Sequence, residues 1–141
     1  MHEVEFENLK EDLSFIEGWE DRYRYIIELG QALTPLEEEF KIDAFKVEGC
    51  ASQVWLTHNV EGNGPCAKIT FKGASDAHIV QGLMAIAIQL FSGLSAEKIA
   101  SGNPFTAFEA LDLSDHISSQ RSNGLKSMLA KMQHIAKTVM G

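Results

Sequence analysis

Residues 75–93 read SDAHIVQGLMAIAIQLFSG. Apolar residues fall on nearly every side of the helix that this stretch predicts, with Ser75 as a candidate N-cap and Gly93 at its end. A helix that is apolar all round has to be covered by other elements of its domain. The stretch therefore predicts a central buried helix, around which the rest of the chain packs.

The N-terminal part of the chain is predicted to be helical. From Val4 to Leu33 the apolar residues recur at helical spacing, and Gly18 separates two helices. The sequence TPLE at residues 34–37 has the pattern of a capping box with proline at the first helical position. A short third helix is therefore expected, ending near Phe40.

Between these helices and the central helix, the pattern changes to that of β-strands. The sequence EGNGP at residues 61–65 has the composition of a turn. We expect an antiparallel meander of about three strands that ends at Gly73. The apolar residues with period-two spacing are Phe45 and Val47, then Val54, Leu56 and Val60, then Ala67, Ile69 and Phe71.

The C-terminal part is predicted to return to helices. Ser95 caps a short helix through Ile99, the segment with Phe105, Phe108 and Leu111 suggests another, and a last amphipathic helix runs through the C-terminus. No repeat and no long linker divides the chain. The sequence thus predicts one α+β domain over residues 1–141, with a small three-stranded antiparallel sheet packed against several helices.

The composition narrows the classes of partner. The chain has 20 acidic and 12 basic residues, so its field should repel nucleic acid and anionic lipid. The longest apolar stretch, Leu83–Phe91, is far shorter than the roughly 20 residues that span a bilayer. The acidic N-terminus has no secretion pattern, so a cytoplasmic protein is expected.

Cys50 is the conspicuous chemical group. It lies in VEGCASQVW, residues 47–55, where Gly49 and the small residues after the thiol indicate a loop between two strands. A thiol on a loop can reach a partner, although a free cysteine is also often a small buried apolar residue. Two cysteines without a secretory context indicate reduced thiols. No lysine or arginine adjoins Cys50, so its pKa is left open.

The G-C-x-S-Q-V-W core of this loop resembles the active-cysteine loop of the SufE/CsdE family of sulfur acceptors, and Ser52-Gln53 is closer to the SufE branch. Other segments resemble the family in the same order over nearly the whole chain. These segments are WEDRY at 19–23 with IIELG at 26–30, SD at 75–76 with IVQGL at 79–83, and RSNGL at 121–125.

The resemblance implies a fold similar to that of the IscU scaffolds and a role for Cys50 as the acceptor that becomes a persulfide. The implied donor is a SufS-type or CsdA-type cysteine desulfurase, a PLP enzyme, and the implied destination is an iron–sulfur scaffold such as the SufBCD complex. This chain would itself bind no cofactor and no metal, and would be a sulfur-transfer partner rather than an enzyme. The residues implied to support the loop or contact the partner are Gly49, Ser52, Gln53, Trp55, Asp76 and Arg121.

Several of these residues have a second interpretation. Trp55 could be core packing, and Asp76 could be a first-turn acid of the central helix. Arg121, near the start of the last helix, does not complement the helix dipole, which favours a partner elsewhere.

Cys66, the second cysteine, is expected to face solvent on the strand face of Lys68 and to be incidental.

Two other functions compete with sulfur transfer. A metal or cluster scaffold needs three or four ligands at close spacing, whereas the two cysteines and five histidines are scattered singly. A cysteine hydrolase would need a histidine oriented as base, and no signature for one surrounds Cys50. The donor, the final recipient and the oligomeric state stay open from sequence.

Overall fold

A computed structural model describes residues 2–47, 53–103 and 119–141, and the side chains of these ranges except those of 2–7 and 119–123. The α-helices of these ranges are α1 (His2–Phe15), α2 (Trp19–Ala32), α3 (His78–Phe91), α4 (Ala96–Ser101) and α5 (Ser119–Met140). The strands are β1 (Val54–Glu61), β2 (Lys68–Ser75) and β3 (Leu94–Ser95). Short 3-10 helices cover Glu38–Phe40, Asp43–Phe45 and Gly64–Cys66.

The three strands form one antiparallel sheet in the order β1-β2-β3. The β1–β2 ladder runs from Val54 opposite Ser75 to Glu61 opposite Lys68. The predicted α+β class with a small three-stranded antiparallel sheet is thereby confirmed.

The third strand lies elsewhere than predicted. Asp43–Phe45 is a 3-10 helix, and Lys46 makes only an isolated bridge to Trp55. The strand is instead β3, which follows α3 because Gly93 turns the chain back with a φ of 86°. The N–H of Gly93 donates to the Ile69 carbonyl at 2.7 Å, and this bond lays β3 beside β2.

The predicted central helix is confirmed as α3, which packs against α1, α2, α5 and β2. Ser75, however, is not its N-cap. The helix begins after Ala77, because Ser75 stays in the sheet opposite Val54, where its hydroxyl accepts the Ala77 N–H at 3.2 Å. The buried residues of α3 are Ile79, Val80, Gly82, Leu83, Met84, Ile86, Ala87 and Phe91.

Other predictions had mixed outcomes. Gly18, with a φ of 85°, separates α1 from α2, and the Ser95 hydroxyl caps α4 by accepting the Lys98 N–H at 3.3 Å, both as predicted. The capping box at 34–37 does not form: these residues have no regular secondary structure, Leu36 is buried, and only the 3-10 turn Glu38–Phe40 follows. Phe105, Phe108 and Leu111 lie outside the described residues.

One contiguous apolar core joins the elements. It reaches from Leu9 and Leu13 on α1 to Ile135 and Ala136 on α5, and includes the inward residues of the sheet. Over the described ranges, no helix has both the length and the apolar character needed to cross a membrane.

Candidate functional site

The ends of the Cys50 segment are held side by side. Gly49, Cys50 and Ser52 themselves lie outside the described residues, as does the side chain of Arg121. On either side of them, the N–H of Val47 donates to the Val54 carbonyl at 2.8 Å. Val47 and Val54 are also both buried. Residues 48–53 therefore connect two paired backbone segments, whose separation is set by the core.

Asp76 holds the C-terminal end of this connection. Its Oδ1 accepts the backbone N–H of Gln53 at 3.0 Å, and its own N–H donates to the Gln53 carbonyl at 3.2 Å. Because α3 begins only at His78, Asp76 is not a first-turn acid of that helix. Its carboxylate instead accepts a hydrogen bond from the Gln53 backbone, next to the predicted active loop.

Gln53 and Trp55 lie at the same place in the fold. The side chain of Gln53 is exposed, while its backbone is engaged by Asp76. Trp55 is partly buried. Its backbone forms an isolated antiparallel β-bridge with Lys46, and it lies opposite Ala74 in the β1–β2 ladder. By alternation with the buried Val54, Trp55 faces the outer side of the sheet, away from α3. The structure therefore brings Gln53, Trp55 and Asp76 together at the base of the Cys50 loop.

Asp76→Ala is expected to speed the exchange of the Gln53 amide hydrogen about fivefold, because one net hydrogen bond contributes about 1 kcal/mol. Hydrogen exchange followed by NMR measures this rate. Asp76→Asn keeps an acceptor oxygen and should stay close to wild type. The Phe71 amide, bonded to the Ser92 hydroxyl at 3.0 Å, is the internal reference. An unchanged Gln53 rate in a folded Asp76→Ala protein would contradict the assignment.

The outer face of the sheet carries a cavity of about 460 Å³. Phe40 and Phe45 are among its lining residues, with ring centroids 5.8 Å apart in an edge-to-face arrangement. The Lys72 ammonium and the Glu37 carboxylate, 3.7 Å apart, also line it. The face that Trp55 shares is therefore a partly open groove of aromatic and polar groups.

Cys66 and the histidines are the other candidate groups that the sequence offered for chemistry. Cys66 is exposed, as predicted, but it ends a 3-10 helix rather than lying in a strand. The pKa of His58 is lowered from its ordinary value by desolvation and then by the positive charge of Lys131, which both favour the neutral imidazole. Within the described residues, no group of three His, Cys, Asp or Glu side chains is placed to hold a metal ion.

The resemblance named Asp76 and Gln53 as loop-supporting residues, but sequence reasoning did not predict the hydrogen bonds that define the base of the loop. The pairing of Val47 with Val54 and the use of the Asp76 carboxylate both join residues that are apart in sequence. The one signal for the first was that apolar period-two spacing resumes after the cysteine, with Val54 and Leu56. No local signal indicated the second.

The fold and this loop base define a small α+β protein with a cysteine-bearing connection at the sheet end. The SufE domain family, described as an Fe-S metabolism associated domain, matches residues 7–136. Since this match covers most of the chain, the protein belongs to the SufE family.

Individual relatives agree with the family. An uncharacterized SufE-like protein of Rhizobium etli is 48% identical over 127 residues, which cover 90% of this chain and 86% of the relative. A SufE-like protein of Rhizobium meliloti is 45% identical, with 90% and 91% covered. The sulfur acceptor protein CsdE of Escherichia coli is 35% identical over 125 residues, with 89% and 83% covered.

The fold also occurs in a solved structure. The solution structure of a hypothetical protein from Thermus thermophilus superposes with a TM-score of 0.74 and covers 96% of this chain and 95% of that one. Its sequence is only 17% identical, so this likeness concerns the fold.

Proposed function

We propose that this protein accepts sulfur from a cysteine desulfurase on Cys50 and carries it toward iron–sulfur cluster assembly. The observation that carries the proposal is the position of Cys50. It lies within the matched SufE domain, on the connection whose two ends are held by Val47–Val54 and by Asp76–Gln53. A relative that covers 89% of this chain is itself named a sulfur acceptor.

The proposed transfer is an exchange at sulfur. The thiolate of Cys50 attacks the outer sulfur of a persulfide on the donor enzyme; a new S–S bond forms at Cys50 and the donor's S–S bond breaks. The donor cysteine leaves as a thiolate, so one sulfur atom moves without an external oxidant or reductant. Cys50 then carries the persulfide to the next acceptor.

The partners in this proposal follow the family resemblance. The donor is a SufS-type or CsdA-type desulfurase, which holds the PLP, and the recipient is a scaffold such as the SufBCD complex. This protein binds neither PLP nor a metal and stimulates the desulfurase by removing its covalent product. It is a sulfur-transfer partner rather than an enzyme.

We also propose roles in supporting the Cys50 segment or contacting the partner for Gly49, Ser52, Gln53, Trp55, Asp76 and Arg121. We also propose that residues 1–141 act as one domain in the cytoplasm. A single apolar core from Leu9 to Ala136 supports the first part of that proposal.

Intact-mass spectrometry tests the proposal. After incubation with a SufS-type desulfurase and cysteine, the protein is expected to gain about 32 Da, the mass of one sulfur, in a form that a thiol reductant removes. Alanine production by the desulfurase should rise in the same reaction. No mass gain beside an active desulfurase would refute the carrier function.

A further inference from the structure

Gln81 connects two elements that are distant in sequence. It lies in the first turn and a half of α3 and is partly buried. Its Nε2 donates to the Gly30 carbonyl near the C-terminal end of α2 at 2.9 Å, and its Oε1 accepts the Ser75 backbone N–H at 3.3 Å. One side-chain amide thus joins the end of α2 to the end of β2.

The end of β2 lies beside the start of β1, which follows the Cys50 segment in the chain. Ser75 stands opposite Val54 in the ladder, and the next residue, Asp76, holds the backbone of Gln53 on both its N–H and its carbonyl. The Ser75 hydroxyl also accepts the Ala77 N–H at 3.2 Å, so the chain from Ser75 to Ala77 has little freedom. The position of the Asp76 carboxylate therefore depends on where Ser75 is held.

The contact that Gln81 makes with α2 is a rigid one. Gly82, the next residue, packs so closely on α2 that a Cβ on Gly30 would lie 2.7 Å from the Gly82 nitrogen. Side-chain groups on such close-packed backbones are fixed, because the elements cannot separate without losing buried contact. The Gly30 carbonyl therefore keeps its position relative to the backbone of α3, and the Gln81 amide bonds to it there.

From these contacts we propose that Gln81 is a positioning residue for Cys50: its amide ties Ser75 to α2 and so fixes the Asp76–Gln53 contact that holds the C-terminal end of the loop. The proposal rests on the proposed sulfur-acceptor function only for its kinetic consequence. A loop whose anchor is occupied for a smaller fraction of time binds its partner more weakly in proportion. Gln81 thereby acts on docking rather than on the transfer step itself.

Gln81→Met keeps the length and shape of the side chain and removes both hydrogen bonds. The Gln53 amide hydrogen is expected to exchange about threefold faster, less than the roughly fivefold expected for Asp76→Ala, because Gln81 acts on Gln53 only through Ser75 and Asp76. In the desulfurase assay, the KM for this protein as acceptor should rise while kcat stays unchanged, since only the competent population falls. The rise in KM should be smaller than the change in exchange rate, because exchange follows the open population and KM follows the reciprocal of the closed one.

Gln133→Met is the matched control. The Gln133 side chain likewise makes two hydrogen bonds to backbone groups: its Nε2 donates to the carbonyls of Ile99 at 3.2 Å and Gly102 at 2.8 Å, and so ties α5 to the end of α4. It should lower the overall stability about as much as Gln81→Met does. It should leave Gln53 exchange and the acceptor KM at wild-type values. A purely structural role of Gln81 would make the two variants alike.

The outcomes separate this inference from the function on which it rests. If wild type shows no sulfur transfer, the proposed function fails, and the exchange rate of Gln53 still decides the role of Gln81. Wild-type Gln53 exchange in a folded Gln81→Met protein overturns the inference, as does an equal change in Gln133→Met. Should Gln81→Met not fold, Gln81→Glu replaces it: it keeps the oxygen for Ser75, loses the donor to Gly30, and must still speed Gln53 exchange.

Discussion

Cys50→Ser is expected to abolish sulfur acceptance completely, whereas Cys66→Ser should leave it unchanged. A serine hydroxyl stays protonated at neutral pH and is a far weaker nucleophile than a thiolate, so it cannot take the outer sulfur of a persulfide. Intact mass after incubation with the desulfurase and cysteine measures the effect. The gain of about 32 Da for one sulfur should be present in wild type and Cys66→Ser and missing in Cys50→Ser.

Cys66 is an internal control for the comparison between Cys50→Ser and wild type. It is a free, exposed thiol on the 3-10 helix Gly64–Cys66, so small reagents can reach it. If persulfide transfer depended on thiol exposure alone, Cys66 would be modified too, and Cys50→Ser would keep part of the mass gain. Sulfur on Cys66 in the Cys50→Ser protein would therefore contradict the assignment of the acceptor. The double variant gives the background of the assay.

Gly82→Ala is expected to lower the free energy of unfolding by about 3 kcal/mol, the upper range for overpacking a close contact. The added Cβ would collide with the backbone carbonyl of Ile26 and lie 2.7 Å from the Ile26 Cγ2 atom. Backbone cannot move aside as a flexible side chain can, so α2 and α3 must separate. This cost exceeds the roughly 1 kcal/mol by which alanine favours a helix over glycine.

Urea unfolding measures this loss of stability, and Gly64→Ala is its control. A Cβ on Gly64 would meet no atom within 4 Å, although its φ of +70° costs a non-glycine residue about 1–2 kcal/mol. If Gly82→Ala lowers the free energy of unfolding more than Gly64→Ala does, the close contact between α2 and α3 costs more than a strained backbone conformation. A Gly82→Ala protein as stable as wild type would mean that α2 and α3 are farther apart.

The local elements of the fold could be predicted because their causes are local. The all-round apolar pattern of residues 79–91 indicated a buried helix, and burial against four elements is what such a surface requires. The roles of Gly18 and Ser95 were also predicted correctly, since a positive φ at a glycine and a hydroxyl N-cap each depend on a few neighbouring residues.

Predictions failed where a tertiary contact overrode a local preference. Ser75 has the chemistry of an N-cap, but the ladder with β1 keeps it in the sheet. The segment ending at Val47 has strand-like spacing, yet only an isolated bridge forms there. The true third strand has two residues, too few for any periodicity to show.

For the site, the sequence by itself pointed to Cys50, because a thiol in a small-residue loop with the G-C-x-S-Q-V-W pattern resembles one family of sulfur acceptors. The resemblance also named Gln53 and Asp76, but only the tertiary structure decided through which hydrogen bonds the end of that segment is held. Asp76 is 23 residues from Gln53, and Gln81 is 51 residues from Gly30, so neither contact leaves a trace in local patterning. Hydrogen bonds across such separations form only after the core has brought β1, β2, α2 and α3 together.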